Sequence, residues 1–141
     1  MQPEIFFSYI INLLNTHDSF LATHLQPILR RYFQNSNLAL TSVYIDSTAA
    51  FIAALLPMLR RKILAVLPHI AKQPHLLSHF VHELINFDVA LKEEWSFDGG
   101  NRMEGWRGLA WEVLVKRHWF GAWLEVEKNC KHSSIAFWIC Y

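Results

Sequence analysis

Charge is the first thing this chain is short of. Only 18% of its 141 residues are charged, and they cancel to a net +1. That leaves no field of one sign to gather nucleic acid or to hold the chain on an anionic membrane. Cysteine is nearly missing as well. Cys130 and Cys140 both fall in the last dozen residues, with no partner spacing in the body of the chain. A disulfide framework is therefore not expected, and a reducing, cytosolic setting is the simpler reading. Long apolar runs are absent too. The longest, Ala49 to Leu59, contains Pro57 and stops at Arg60-Arg61-Lys62, well short of the ~20 residues a bilayer requires. The amino end is largely apolar from Ile5 to Leu14, but Glu4 stands where a signal peptide carries positive charge, and no small-residue cleavage site follows. Nucleophile motifs such as G-x-S-x-G are missing, so no enzyme is expected, and no catalytic or cofactor-binding residue is assigned.

What the chain does have is hydrophobic residues, 52% of the total, a surplus that suggests surfaces meant for a partner or for the rest of a longer chain. They recur at helical spacing. Gln2-Pro3-Glu4 reads as a helix start, followed by a face of Phe6, Tyr9, Ile10, Leu13, Leu14 and His17. A second face runs through Leu21, Leu25, Ile28, Leu29, Tyr32 and Phe33, with Pro27 expected to kink or restart the helix. After the polar break Gln34-Asn35-Ser36-Asn37 comes the longest stripe: Ile45, Ala49, Ile52, Leu56, Leu59, Ile63, Val66 and Ile70. Leu67-Pro68 and Gln73-Pro74 punctuate the chain, and Leu76, Phe80, Leu84, Phe87 and Leu91 form the next stripe. Two shorter helices follow, around Trp106–Leu114 and Trp119–Val126. No sustained alternation supports a sheet. The expectation is an all-α antiparallel bundle of five or six kinked helices.

Several clusters invite a chemical reading. His75, His79 and His82 share one helical stripe, and a helical i, i+4 pair can bind zinc. They lie opposite Leu76, Phe80, Leu84 and Phe87, however, and no further ligand is evident, so a solvated face is expected and no metal is assigned. His17 and His24 read as helix-surface or half-buried residues. Arg30-Arg31 and Arg60-Arg61-Lys62 are too short for polybasic patches, which favours ion pairing. Asp98-Gly99-Gly100-Asn101 lacks the further ligands of a calcium loop and the Lys-Ser/Thr of a phosphate loop; a turn with glycines at positive φ is expected. Glu83 and Glu93-Glu94 read as ordinary surface. The alternative to a binding segment is a free-standing helical bundle with a metal or small-ligand pocket lined by aromatics and histidines.

The stretch Trp95 to Lys128 is the most distinctive. It holds five of the six tryptophans, and glycines break the chain just ahead of the densest aromatics. It is expected to be a loop feeding a pair of helices that close over the earlier ones, with the tryptophans buried.

Taken together, His24-Leu25-Gln26-Pro27 with Ile28-Leu29-Arg30-Arg31, Ala53 to Lys62, Gln73 to His79, Phe97-Asp98-Gly99-Gly100, Trp119-Phe120 and Trp123 to Lys128 resemble the RINT/TIP family of vesicle-tethering subunits, most closely its plant members. The resemblance covers roughly residues 4 to 128. It implies a cytosolic subunit held peripherally at the endoplasmic reticulum in the Dsl-type (NRZ) complex, which captures vesicles returning from the Golgi. Its implied partners are other tether subunits and SNARE proteins, and its implied architecture is a rod of stacked helical bundles without catalytic residues. Such subunits run to several hundred residues, so the resemblance implies that this chain is a truncated piece. Residues 1–128 are expected to be the tether segment. Residues 129–141, with both cysteines and the apolar Ile135-Ala136-Phe137-Trp138-Ile139, are expected to be a divergent tail.

Overall fold

The computed structural model describes residues 5–100, 105–116 and 118–132, the last three by backbone alone. The expected helix start at Gln2-Pro3-Glu4 and the apolar cluster of the tail lie outside the described residues. Within them the chain is all-α, as the spacing of apolar residues requires, with no strand.

Helix α1, Ile5–Phe20, buries Phe7, Ile10 and Leu14. The interruption expected at Pro27 begins six residues before it. The chain widens into a π-helical turn, Leu21–Leu25, in which the Gln26 N–H reaches back five residues to the Leu21 carbonyl. Pro27 then sits in the first turn of α2, Gln26–Phe33, where a missing N–H costs least. The wider turn is how one continuous rod tolerates the ring. No α2 residue is buried.

A 3₁₀ turn, Asn37–Leu40, and a single helical turn α3, Ser42–Ile45, lead into α4, Ser47–Ile70. Asp46 caps α4, accepting from the Thr48 and Ala49 N–H groups at 2.8 and 3.1 Å. Gln26 pins this junction from the other side: its amide donates to the Ile45 carbonyl and accepts from the Ser47 N–H. At 24 residues, α4 is about 36 Å long. Pro57 and Pro68 both lie inside it and both are exposed. Neither ends the helix, although Leu67-Pro68 reads in the sequence as punctuation.

After the tight turn at 71–73 the chain reverses into α5, Pro74–Glu93. α4 and α5 form a helical hairpin, and α1 lies across it with Phe7 between Phe80 and Phe87, at ring separations of 5.5 and 5.1 Å. The short α6, Leu109–Trp111, a second π turn, Glu112–Lys116, and α7, Phe120–His132, complete the bundle.

The core follows the expected stripes with one systematic difference. Ala49, Ile52, Leu56, Leu59, Ile63 and Ile70 of α4 are buried as expected, but Leu67 takes the place of Val66. On α5, Leu77 and Val81 are buried with Phe80, Leu84, Phe87 and Leu91, while Leu76 is only half-buried. On α1, Phe6 and Leu13 are half-buried and Tyr9 is 60% exposed. The apolar arc of several helices is wider than the face its neighbours cover, and part of the excess on α1, α4 and α5 opens onto one surface.

Candidate partner-binding groove

That surface is a groove of about 900 Å³. Ile5, Phe6 and Tyr9 of α1 form one wall; Lys62, Ala65, Val66, His69 and Ile70 of α4, with Gln73 and Leu76 where α5 begins, form the other. The α4 side is a regular helical face, with residues at i, i+3, i+4, i+7 and i+8. Its floor is apolar, and its cationic groups stand out in solvent: Lys62 and His69 are both exposed. The His69 Nδ1–H donates to the Ala65 carbonyl at 3.0 Å, which turns Nε2 outward. Four groove residues, Phe6, Tyr9, Val66 and Leu76, were expected in the core. Periodicity marks them as apolar but does not say that no neighbouring helix covers them.

At the other end of α4 a second apolar surface is uncovered. Ile28 and Tyr32 of α2 are 52% and 70% exposed, and Leu40 is 70% exposed. Arg30 and Arg31 stand on the same helix, both exposed.

Several of the remaining sequence candidates are tied into the fold. Arg60 makes a two-pronged pair with Glu112, Nε to Oε2 at 2.7 Å and an NH₂ group to Oε1 at 3.0 Å, which ties α4 to the second π turn. The hydrogen bond to Glu112 raises the Arg60 pKa and outweighs partial burial. Asp98 accepts from the Gly100 N–H at 3.0 Å and the Ser42 hydroxyl at 2.6 Å. Gly99 and Gly100 have φ of 86° and 84°, so residues 98–100 form a tight turn; Asn101 lies outside the described residues.

His75 and His79 are exposed, but His82 is half-buried with Nε2 3.3 Å from Glu127 of α7. The stripe expected to face solvent thus ends under a helix, because α7 lies along α5. Glu127 also accepts from the Ser78 hydroxyl. Ser78 is fully buried, so this hydroxyl is beyond the reach of a substrate. No group of three or more metal-ligating side chains converges among the described residues. His17 is exposed, with its ring edge-on to Phe51 at 6.3 Å, and His24 lies tilted against exposed Phe20 with ring centres 4.6 Å apart.

A buried carboxylate that the sequence reading passed over organises the tryptophan-rich stretch. Asp88, 6% exposed, accepts from the Leu109 and Ala110 N–H groups at 2.9 and 2.7 Å, so α5 caps the start of α6. Burial pushes its carboxyl pKa up, against the pull of those two N–H groups. Gly108 is held against this carboxylate with φ 103°, and a Cβ there would overlap Asp88 Oδ2. An aspartate inside an apolar stripe was the only available sign in the sequence.

Trp106 packs edge-on against Phe97 with ring centres 4.9 Å apart and Lys92 above its ring. Trp95, Trp106, Trp111, Trp119 and Trp123 are all half-buried, none completely. The indole N–H groups of Trp95, Trp106 and Trp123 are buried without an acceptor among the described residues. A smaller cleft of about 420 Å³ lies between Trp106, Trp111 and Lys116; it adjoins residues 101–104, which lie outside the described residues.

A model of the RINT-1/TIP-1 family matches residues 1–136. No curated protein matches, and no solved structure does. The matched residues run past Lys128, as does α7, which reaches His132.

Proposed function

The chain belongs to the RINT-1/TIP-1 family, and from that premise we propose that it is a non-catalytic segment of a vesicle-tethering complex, working by binding and by holding partner sites apart. The observation that carries this reading is the groove at α1, α4 and α5: a regular apolar helix face, uncovered by any described element, in a bundle where Arg60–Glu112, Ser78–Glu127 and Asp88 are engaged in holding the fold. The second uncovered surface, at α2, stands near the start of α4, about 28 Å from the groove by the rise of the intervening helix. A stiff helical unit with an uncovered apolar surface near each end fits a spacer that stacks between neighbours in a rod.

The finer reading is a role at the endoplasmic reticulum in Golgi-to-ER retrograde transport, within a Dsl/NRZ-type complex, through other tether subunits and SNARE proteins. Membrane association would then come through partners. No helix among the described residues is long and apolar enough to cross a bilayer, which is consistent with that route. The change of sequence character after Lys128 belongs to the same proposal, and sequencing the transcript across that point tests it. An uninterrupted exon through Tyr141 counts against a divergent tail.

Affinity capture from plant cell extract, with bound proteins identified by mass spectrometry, tests the function. Tether subunits and SNAREs should be retained by the wild-type chain and lost when Ala65→Glu fills the groove. Retention of neither class by the wild-type chain refutes the proposal.

A further inference from the structure

We propose that the groove takes an amphipathic helix of a partner protein whose polar flanks are acidic, an inference that rests on the tethering reading and names the chemistry of the same site. Shape is the first argument. Lys62, Ala65, Val66, His69 and Ile70 follow one another at helical spacing on α4, and Gln73 closes the wall from the turn beyond. The helical wall from Lys62 to Ile70 is about 12 Å long, so a third helix of about two turns can set its ridges between those of α1 and α4. This is helix-in-groove recognition, with apolar anchors at i, i+3 or i+4, and i+7.

Charge is the second argument, and it selects the occupant. From Ser47 to His82 the chain contains no aspartate or glutamate, and none occurs between Ile5 and His17. Among the described residues both walls are therefore free of carboxylates. Over the same stretch the cations are Arg60, Arg61, Lys62 and Lys72. Arg60 is committed to Glu112, while Lys62 stands exposed at the groove and Lys72 is exposed one residue before Gln73. A whole-chain charge of +1 conceals this local excess, because the acidic residues are concentrated after His82. A helix with glutamates beside its apolar ridge meets complementary charge along the α4 side, at Lys62 and beyond Ile70 at Lys72; a lysine-flanked helix meets like charge there.

The test uses the full chain and two labelled helical peptides of about 15 residues. Both carry leucines at i, i+3, i+7 and i+11, one with glutamate flanks and one with lysine flanks. Fluorescence anisotropy should show the acidic peptide binding at least about tenfold more tightly, with an affinity that falls as salt is raised. Ala65→Glu should abolish binding, and Lys62→Glu should reduce the preference for the acidic peptide several-fold. Both positions are exposed, so circular dichroism should show an unchanged fold.

Equal binding of the two peptides, or none by the acidic one, overturns the inference. So does self-association in ultracentrifugation that Ala65→Glu disperses, which assigns the groove to a second copy. Uptake by phosphatidylcholine vesicles that Ala65→Glu abolishes overturns it in favour of lipid. Failure of the acidic peptide while Ala65→Glu still abolishes capture of tether subunits refutes the acidic helix and leaves the tethering reading standing.

Discussion

Three glycines in the second half of the chain turn one substitution, glycine to alanine, into a graded test of the packing around α6. Gly108 has φ 103° and ψ 163°, a region essentially reserved for glycine, where a side chain costs about 1–3 kcal/mol in backbone strain. Its Cβ would also overlap the Asp88 carboxylate. Moving that carboxylate strands the Leu109 and Ala110 N–H groups, each worth about 1–3 kcal/mol when left unpaired in a buried place. With partial relaxation the sum is about 3–6 kcal/mol. Against the ~5–15 kcal/mol that holds a typical domain together, Gly108→Ala should cost a large fraction of the stability. Gly105, at φ 62°, has nothing among the described residues within 4 Å of a Cβ; Gly105→Ala should cost only about 1–2 kcal/mol. Gly121 lies in α7 with open space around it, and Gly121→Ala should stabilise by about 0.5–1 kcal/mol. Urea unfolding, followed by far-ultraviolet circular dichroism and tryptophan fluorescence, measures all three. Because the collision is with one side chain, Asp88→Ala and Gly108→Ala should be far from additive. A Gly108→Ala cost within about 1 kcal/mol of that for Gly105→Ala would refute the clamp.

Two adjacent residues test the register of α4: Leu67→Ala should cost about 2–5 kcal/mol and Val66→Ala below about 1 kcal/mol in the same assay, since only Leu67 is fully buried. The raised Asp88 pKa sets a sign for pH dependence. Folding favours the protonated acid, so the Asp88 contribution is fully present below the unfolded value of 3.8 and is lost as pH rises through the higher folded value. The stability of the wild-type chain relative to Asp88→Asn should therefore fall as pH rises above about 4, and a flat difference across that range would contradict it. Arg60→Ala should cost about 1 kcal/mol, shrinking as salt is added, because the Arg60–Glu112 pair is well aligned but its side chains are 41% and 24% exposed. A cost that does not change with salt would point to packing of the arginine stem instead.

Much of the fold was readable because the apolar spacing of a helix is local. Ala49, Ile52, Leu56, Leu59 and Ile63 declare a face by their own separations, and Asp46 caps α4 with a side chain two and three residues away. Proline was harder to read. Pro27 was expected to kink or restart a helix, and α2 does restart at Gln26 with the proline in its first turn, but the change begins upstream, in a π turn that the spacing gives no sign of. Pro57 stays inside α4 on its exposed side, where an opened backbone carbonyl meets water. The tryptophans were read as buried by residue type; the packed structure leaves all five half-covered.

The sequence by itself determined that the chain is helical, roughly where each helix runs, that no nucleophile motif is present and which family it resembles. These follow from the order and spacing of neighbours along the chain. Only the tertiary structure decided which apolar residues are core and which are groove. Val66 and Leu67 are equally apolar and adjacent, and what separates them is whether another helix lies above. The same holds for His82 under α7 and for Asp88 against the start of α6, whose partners are dozens of residues away. A residue's type fixes what it costs to leave in water; only the packed neighbours fix whether it is left there.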